Sequence, residues 1–103
     1  MIVNVDHYVN KIAEEIIIKF DPAKIILFGS VANGTYRSNS DIDLCIIKDT
    51  SSKRNTIAAI YTEIDSEIPF DIIVYTNEEW ERNVNDLSSF AYKINKSGVV
   101  LYS

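Results

Sequence analysis

Two carboxylates one residue apart, Asp41 and Asp43, open the apolar run Asp41-Ile42-Asp43-Leu44-Cys45-Ile46-Ile47. Side chains alternate along a strand, so both project to one side, about 6.5–7 Å apart along the chain. At that spacing both can reach one divalent cation or a closely spaced pair. Carboxylate oxygens suit hard cations, and phosphoryl and nucleotidyl transfer need them so that metal can be held while it neutralises phosphate charge. Separated from Asp41 by ten residues, a Gly-Ser turn (Gly29-Ser30) ends another apolar run, Lys24 to Phe28. A third carboxylate, Asp71, leads the apolar run that continues to Tyr75, where an adjacent strand would set it beside the first two. Neither Gly-Ser nor Asp-x-Asp says much alone, because acidic residues at a strand edge are usually solvated or cap a loop. The combination points to a metal site at Asp41, Asp43 and Asp71.

The elements around these residues follow from periodicity. Val5, Val9, Ile12, Ala13, Ile16, Ile17 and Phe20 recur every three or four residues, with Lys11, Glu14, Glu15 and Lys19 between them. This is an amphipathic helix, with Asn4 or Asp6 as its cap, ended at Asp21-Pro22. His7 falls on its polar side and reads as solvated. Strands are expected at 24–28, 41–47 and 70–75. Between the first two lie the turn signals Asn33-Gly34 and Ser38-Asn39-Ser40, and residues 31–33 could form a helical turn that aims N–H groups at an anion. A second helix carries Ile57, Ile60, Tyr61, Ile64 and Ile68, and is expected to stop at Pro69. Thr76 and Glu79 have capping-box spacing for a third helix, which breaks near residues 86–88. Phe90, Ala91 and Ile94 mark a fourth, stopped at Gly98, and residues 99–102 suit a docked extra strand. The order predicts one α/β (α+β) domain over 1–103, a small mixed sheet with helices largely on one face.

Composition narrows the function. Hydrophobic residues make up 47% of the 103 and charged residues 24%, an ordinary globular balance. A net charge of −5 argues against a general nucleic-acid binder, though not against a nucleotide whose charge a bound cation offsets. The single cysteine, Cys45, sits inside an apolar strand and reads as a buried small residue. The first residues lack a secretory pattern and the apolar runs are too short to span a bilayer, so a soluble, cytoplasmic protein is expected.

Leu27-Phe28-Gly29-Ser30 with Asp41-Ile42-Asp43-Leu44 resembles the signature of the DNA polymerase β-like nucleotidyltransferase superfamily. The early third Asp and the ending Ile94-Asn95-Lys96-Ser97-Gly98-Val99-Val100-Leu101-Tyr102 look like its minimal nucleotidyltransferase branch. The resemblance implies that Asp41, Asp43 and Asp71 hold two Mg²⁺ ions, with Asp71 also serving as general base. Gly29 and Ser30 would cradle the phosphates of ATP as nucleotide donor. Where many members carry arginine, this chain has Val31 and Asn33. Arg37 and Lys48 are the candidates to replace them, although each also reads as a surface charge.

Members of that branch are commonly paired with a helical HEPN-domain toxin. The resemblance therefore implies an antitoxin that transfers AMP to a hydroxyl of the HEPN partner, most naturally a tyrosine. One alternative is an antitoxin that neutralises the partner by binding alone. Another is nucleotidyl transfer to a small molecule, for which a homodimer or a partner chain could supply the missing pocket wall. Trp80, Tyr75, Tyr92 and Tyr102 are candidate interface aromatics, with Tyr8, Tyr36 and Tyr61 close behind, and each is equally a core candidate.

Overall fold

The computed structural model describes residues 5–29 and 42–103. Ser30, Asp41, Arg37, the turn signals between them and the expected helical turn at 31–33 lie outside those residues. The described elements are α1 (Val5–Phe20), β1 (Lys24–Phe28), β2 (Ile42–Ile47), α2 (Lys53–Glu63), β3 (Phe70–Tyr75), α3 (Asn77–Asn83), α4 (Phe90–Ser97) and β4 (Val99–Tyr102). Asp6 falls inside α1, so it is not the cap; Asn4 lies outside the described residues. At the other end of α1, Asp21 takes the left-handed conformation (φ 49°) that turns the chain into Pro22.

The four strands lie in the order β3-β2-β1-β4. β1 runs antiparallel to both β2 and β4, while β2 and β3 are parallel and joined through α2. This is the mixed sheet expected from the sequence, and the tail does dock as its fourth strand. Alternation along the strands divides the core in two. Ile25, Leu27, Ile42, Leu44, Ile46, Ile72 and Val74 face the longer helices, meeting Ile12 and Ile16 of α1 and Ile60 of α2. The helices were expected largely on one face; the two longer ones lie here, and the two short ones lie opposite. Ile26, Cys45 and Ile47 face the other way, where the short helices α3 and α4 cover them with Trp80, Ala91 and Ile94. Trp80 and Tyr75 therefore belong to the second core, packed edge to face at 5.5 Å.

α2 ends earlier than Pro69, at Glu63, with buried Ile64 as its C-cap in extended conformation (φ −96°, ψ 119°). The Ser66 hydroxyl donates to the Ile68 carbonyl at 2.8 Å and accepts the Ile68 N–H at 3.1 Å. Such a local bond offers the backbone an alternative to the helix. Lys19 of α1 then donates to the Glu63 carbonyl at 2.9 Å, placing a cation at the end of α2 where the helix dipole is negative.

Gly98 is the C-cap of α4, and its extended φ of −78° makes no demand for glycine. The reason for glycine is space. A Cβ there would sit 2.5 Å from the Ile94 carbonyl oxygen and 2.6 Å from Ile26 Cγ2. Helix α4 thus turns into β4 directly against β1.

Candidate active site

Asp43 is the second residue of β2 and Asp71 the second residue of β3. The parallel register pairs them directly: Ile42 with Phe70, Asp43 with Asp71, Leu44 with Ile72. Their flanking residues, Ile42, Leu44 and Ile72, point into the core under α1 and α2. Both aspartates therefore project on the opposite face, on strands about 4.8 Å apart. Burial of the apolar neighbours fixes this choice, because a one-residue slip would send the carboxylates into the core. Asp43 is half-buried and Asp71 exposed.

The third wall is the end of β1. Phe28 pairs with Asp43, and the next residue, Gly29, has a φ of +79°. A Cβ at Gly29 would collide with Oδ2 of Asp43 and lie 3.2 Å from its Cγ. Glycine is required twice over here, for a left-handed turn and for clearance of the carboxylate. Gly29 and Asp43, separated by thirteen residues in sequence, thus lie side by side.

Of the expected site, the structure brings together Gly29, Asp43 and Asp71; Ser30 and Asp41 lie outside the described residues. Among the described residues no cluster of three or more His, Cys, Asp or Glu side chains forms. The two carboxylates that do meet supply hard oxygen donors on one face, beside a glycine cradle that leaves Asp43 room to turn outward. That donor chemistry fits Mg²⁺, which needs only one or two protein carboxylates when phosphates complete its shell. Lys48 does not serve this corner. It follows β2 at the far end, bonded through its N–H to the Tyr75 carbonyl at 2.9 Å. It lies five residue steps along the strand from Asp43, about 16 Å.

Several neighbours went unrecognised in the sequence. Phe28 shares the face of Asp43 and is met edge-on by Phe90, with ring centroids 5.6 Å apart. Phe90 opens α4, capped by the Ser89 hydroxyl, and is half exposed. Alternation from buried Ile26 could have placed Phe28 on this face; no sequence signal ties Phe90 to it. On the other side, the Tyr61 ring stacks on Phe70 at 5.4 Å, next to Asp71.

Away from the corner, Cys45 is fully buried and its thiol is pushed up to about 12, chiefly by desolvation, so it stays protonated and inert at neutral pH. His7 is exposed, its ring edge-on to Tyr8 at 5.5 Å. No helix among the described residues is long and apolar enough to cross a membrane.

No curated protein matches the sequence. Among solved structures, the chain is similar to one from Sulfolobus solfataricus that is named provisionally as a nucleotidyltransferase. The two share 22% identity with a TM-score of 0.63, over 91% of this chain and 76% of that one. At that identity the likeness concerns the fold. The sequence model of the polymerase β nucleotidyltransferase family matches residues 10–103, which takes in β1, β2, β3 and all three aspartates. By that match, and with a corner built from Gly29, Asp43 and Asp71, the chain belongs to the polymerase β nucleotidyltransferase family.

Proposed function

We propose that the protein transfers AMP from ATP to a hydroxyl group, that of a tyrosine on a cognate HEPN-domain toxin, and so acts as an antitoxin. The observation that carries the nucleotidyl-transfer part is the register of Asp43 and Asp71 on adjacent strands, against the bare α-carbon of Gly29. The antitoxin part rests on the resemblance of the ending Ile94–Tyr102 to the minimal nucleotidyltransferase branch.

Mg²⁺ bound at Asp43 and Asp71, with Asp41, would supply charge neutralisation for the triphosphate and the developing pyrophosphate. The rest of the chemistry belongs to the chain. Gly29 leaves room for phosphate to approach the backbone closely and for Asp43 to face it. Asp71, the more exposed carboxylate, takes the proton of the incoming hydroxyl. The hydroxyl oxygen then bonds to the α-phosphorus as the bond to the bridging oxygen breaks, releasing pyrophosphate. An exposed base on the edge strand suits an acceptor presented by a partner's surface, since nothing described on β3 encloses it.

The test is to incubate the protein with α-labelled ATP, Mg²⁺ and the HEPN protein of the neighbouring gene. Label on the HEPN chain that disappears with Asp43→Asn and with Tyr→Phe at the labelled site supports the reading. Tight binding without label, unchanged in Asp43→Asn, would replace it with a binding-only antitoxin. Label on small hydroxyl compounds alone would replace it with a small-molecule transferase.

A further inference from the structure

Asp71 occupies β3, at the edge of the sheet, where one row of backbone groups has no neighbouring strand among the described residues. Two bonds fix which row that is. The Tyr75 carbonyl accepts from Lys48 N–H at 2.9 Å, and the Pro69 carbonyl accepts from Ile42 N–H at 3.1 Å. Odd-numbered residues of this segment therefore turn their backbone toward β2, and Phe70, Ile72 and Val74 turn theirs outward. At the outward N–H of Ile72 stands the Tyr61 hydroxyl, which accepts it at 3.0 Å. The Tyr61 ring also lies over Phe70, with centroids 5.4 Å apart and planes at 29°. One side chain from the last turn of α2 thus grips the residue before Asp71 through its ring and the residue after it through its oxygen.

We infer that Tyr61 is a positioning residue, a clamp from α2 that holds the start of β3 so that Asp71 stays level with Asp43 in the cation site. The inference rests on the nucleotidyltransferase reading for what the site binds. The geometry supplies the reason for a clamp. The segment before β3 is a turn built on Ser66, and β4, which could have covered a strand edge, docks at the far side of the sheet. The beginning of an edge strand frays readily, and carboxylates shared by one cation tolerate little misplacement. Tyr61 is 44% exposed, so core packing alone does not account for it.

The experiment measures Mn²⁺ binding to the folded protein by calorimetry and by electron paramagnetic resonance, without nucleotide. Tyr61→Phe removes the acceptor, and Phe70→Leu removes the stack while keeping an apolar side chain against the core. Each is expected to weaken Mn²⁺ binding roughly 3- to 10-fold, the scale of one net hydrogen bond. Tyr61→Phe should also speed hydrogen exchange at the Ile72 amide, while exchange at Leu44 on the neighbouring strand keeps its wild-type rate. Unchanged Mn²⁺ affinity in both variants, with only a lowered unfolding midpoint, would overturn the clamp and leave Tyr61 a stabilising residue. Wild-type protein that takes up no Mn²⁺ sensitive to Asp43→Asn would overturn the site reading and the clamp with it. Retained affinity in both variants beside a clear Asp43→Asn loss removes the clamp alone.

Discussion

Acidic residues gather at both ends of the sheet, and the two ends use them in opposite ways. At the far end, beyond Ile47 and Tyr75, an open depression of about 760 Å³ is lined by Asp49, Thr50, Ser51, Thr76, Asn77, Glu78 and Glu81. Asp49 on its lining and Glu79 beside it are already occupied. Asp49 accepts the Asn77 N–H at 2.9 Å, and these bonds from Asn77 hold its carboxyl below the usual value. Glu79 closes a capping box on the Thr76 N–H at 2.9 Å and pairs with Lys53 at 2.9 Å, which lowers its value in the same way. Its lining carries three carboxylates, Asp49, Glu78 and Glu81, and Glu78 is paired with Arg82 at 2.7 Å. At the near end two carboxylates share one rung of the ladder, with a glycine shaped around one of them. The far hollow belongs to helix capping; the near corner is where chemistry can occur.

Substitutions at each end should separate these roles, beginning with the strongest. Asp43→Asn and Asp71→Asn are each expected to slow nucleotidyl transfer by about 10²–10³-fold, read as label incorporated per minute, while the circular dichroism spectrum stays that of the folded protein. Transfer that survived both would dissolve the contrast between the ends. Gly29→Ala should cost roughly 1–3 kcal/mol in urea unfolding, from the left-handed φ and the collision with Asp43, and should also abolish transfer. Gly98→Ala serves as its control. It meets backbone and Ile26 with a similar stability loss of about 1–3 kcal/mol, yet its folded fraction should retain transfer.

Thr76→Ala at the far end should cost about 1 kcal/mol through the lost cap and leave transfer untouched. The smallest effect is a pH dependence. Asp49, Glu79 and Asp86 have lowered values, so the stability they add is present above their ordinary pKa of 3.8, 4.5 and 3.8 and is lost as pH falls through the lower folded values. Asp49→Asn should flatten the acid limb of the unfolding midpoint only slightly, because the group is fully exposed to solvent screening.

The strands were legible because their apolar runs are bounded by strong punctuation. Residues 24–28 and 70–75 form strands over the expected range, and Thr76 with Glu79 makes the capping box that its spacing announces. Helix α2 was read too long because Ile64 and Ile68 continue the apolar period. Both do pack on the core, but from a turn that the Ser66 hydroxyl stabilises against the helix. Gly98 was placed rightly as a stop for an incomplete reason, since closeness to Ile26 is invisible without the sheet order. Within the site, Asp43 and Asp71 were visible as residue types in strand starts. Their pairing in one rung, and the contact of Gly29 with Asp43, depend on which strands become neighbours. Tyr61 showed as a member of an apolar stripe and as an interface or core aromatic, not as a clamp, because its oxygen finds its partner on another element.

The parallel rung that joins Asp43 to Asp71 also decides where this chain can change length. A residue inserted at 65–67, between the core residues Ile64 and Ile68, lengthens a turn, for which the entropic cost grows slowly, and β3 keeps its parity. The same residue inserted between Phe70 and Asp71 turns Asp71 inward toward α2 and Ile72 outward to water. Within a few residues the chain passes from tolerating insertion to forbidding it, although neither side of that boundary differs much in exposure. Drift in length is tolerated around residues 65–67 and closed from Phe70 onward, for as long as the rung is in use.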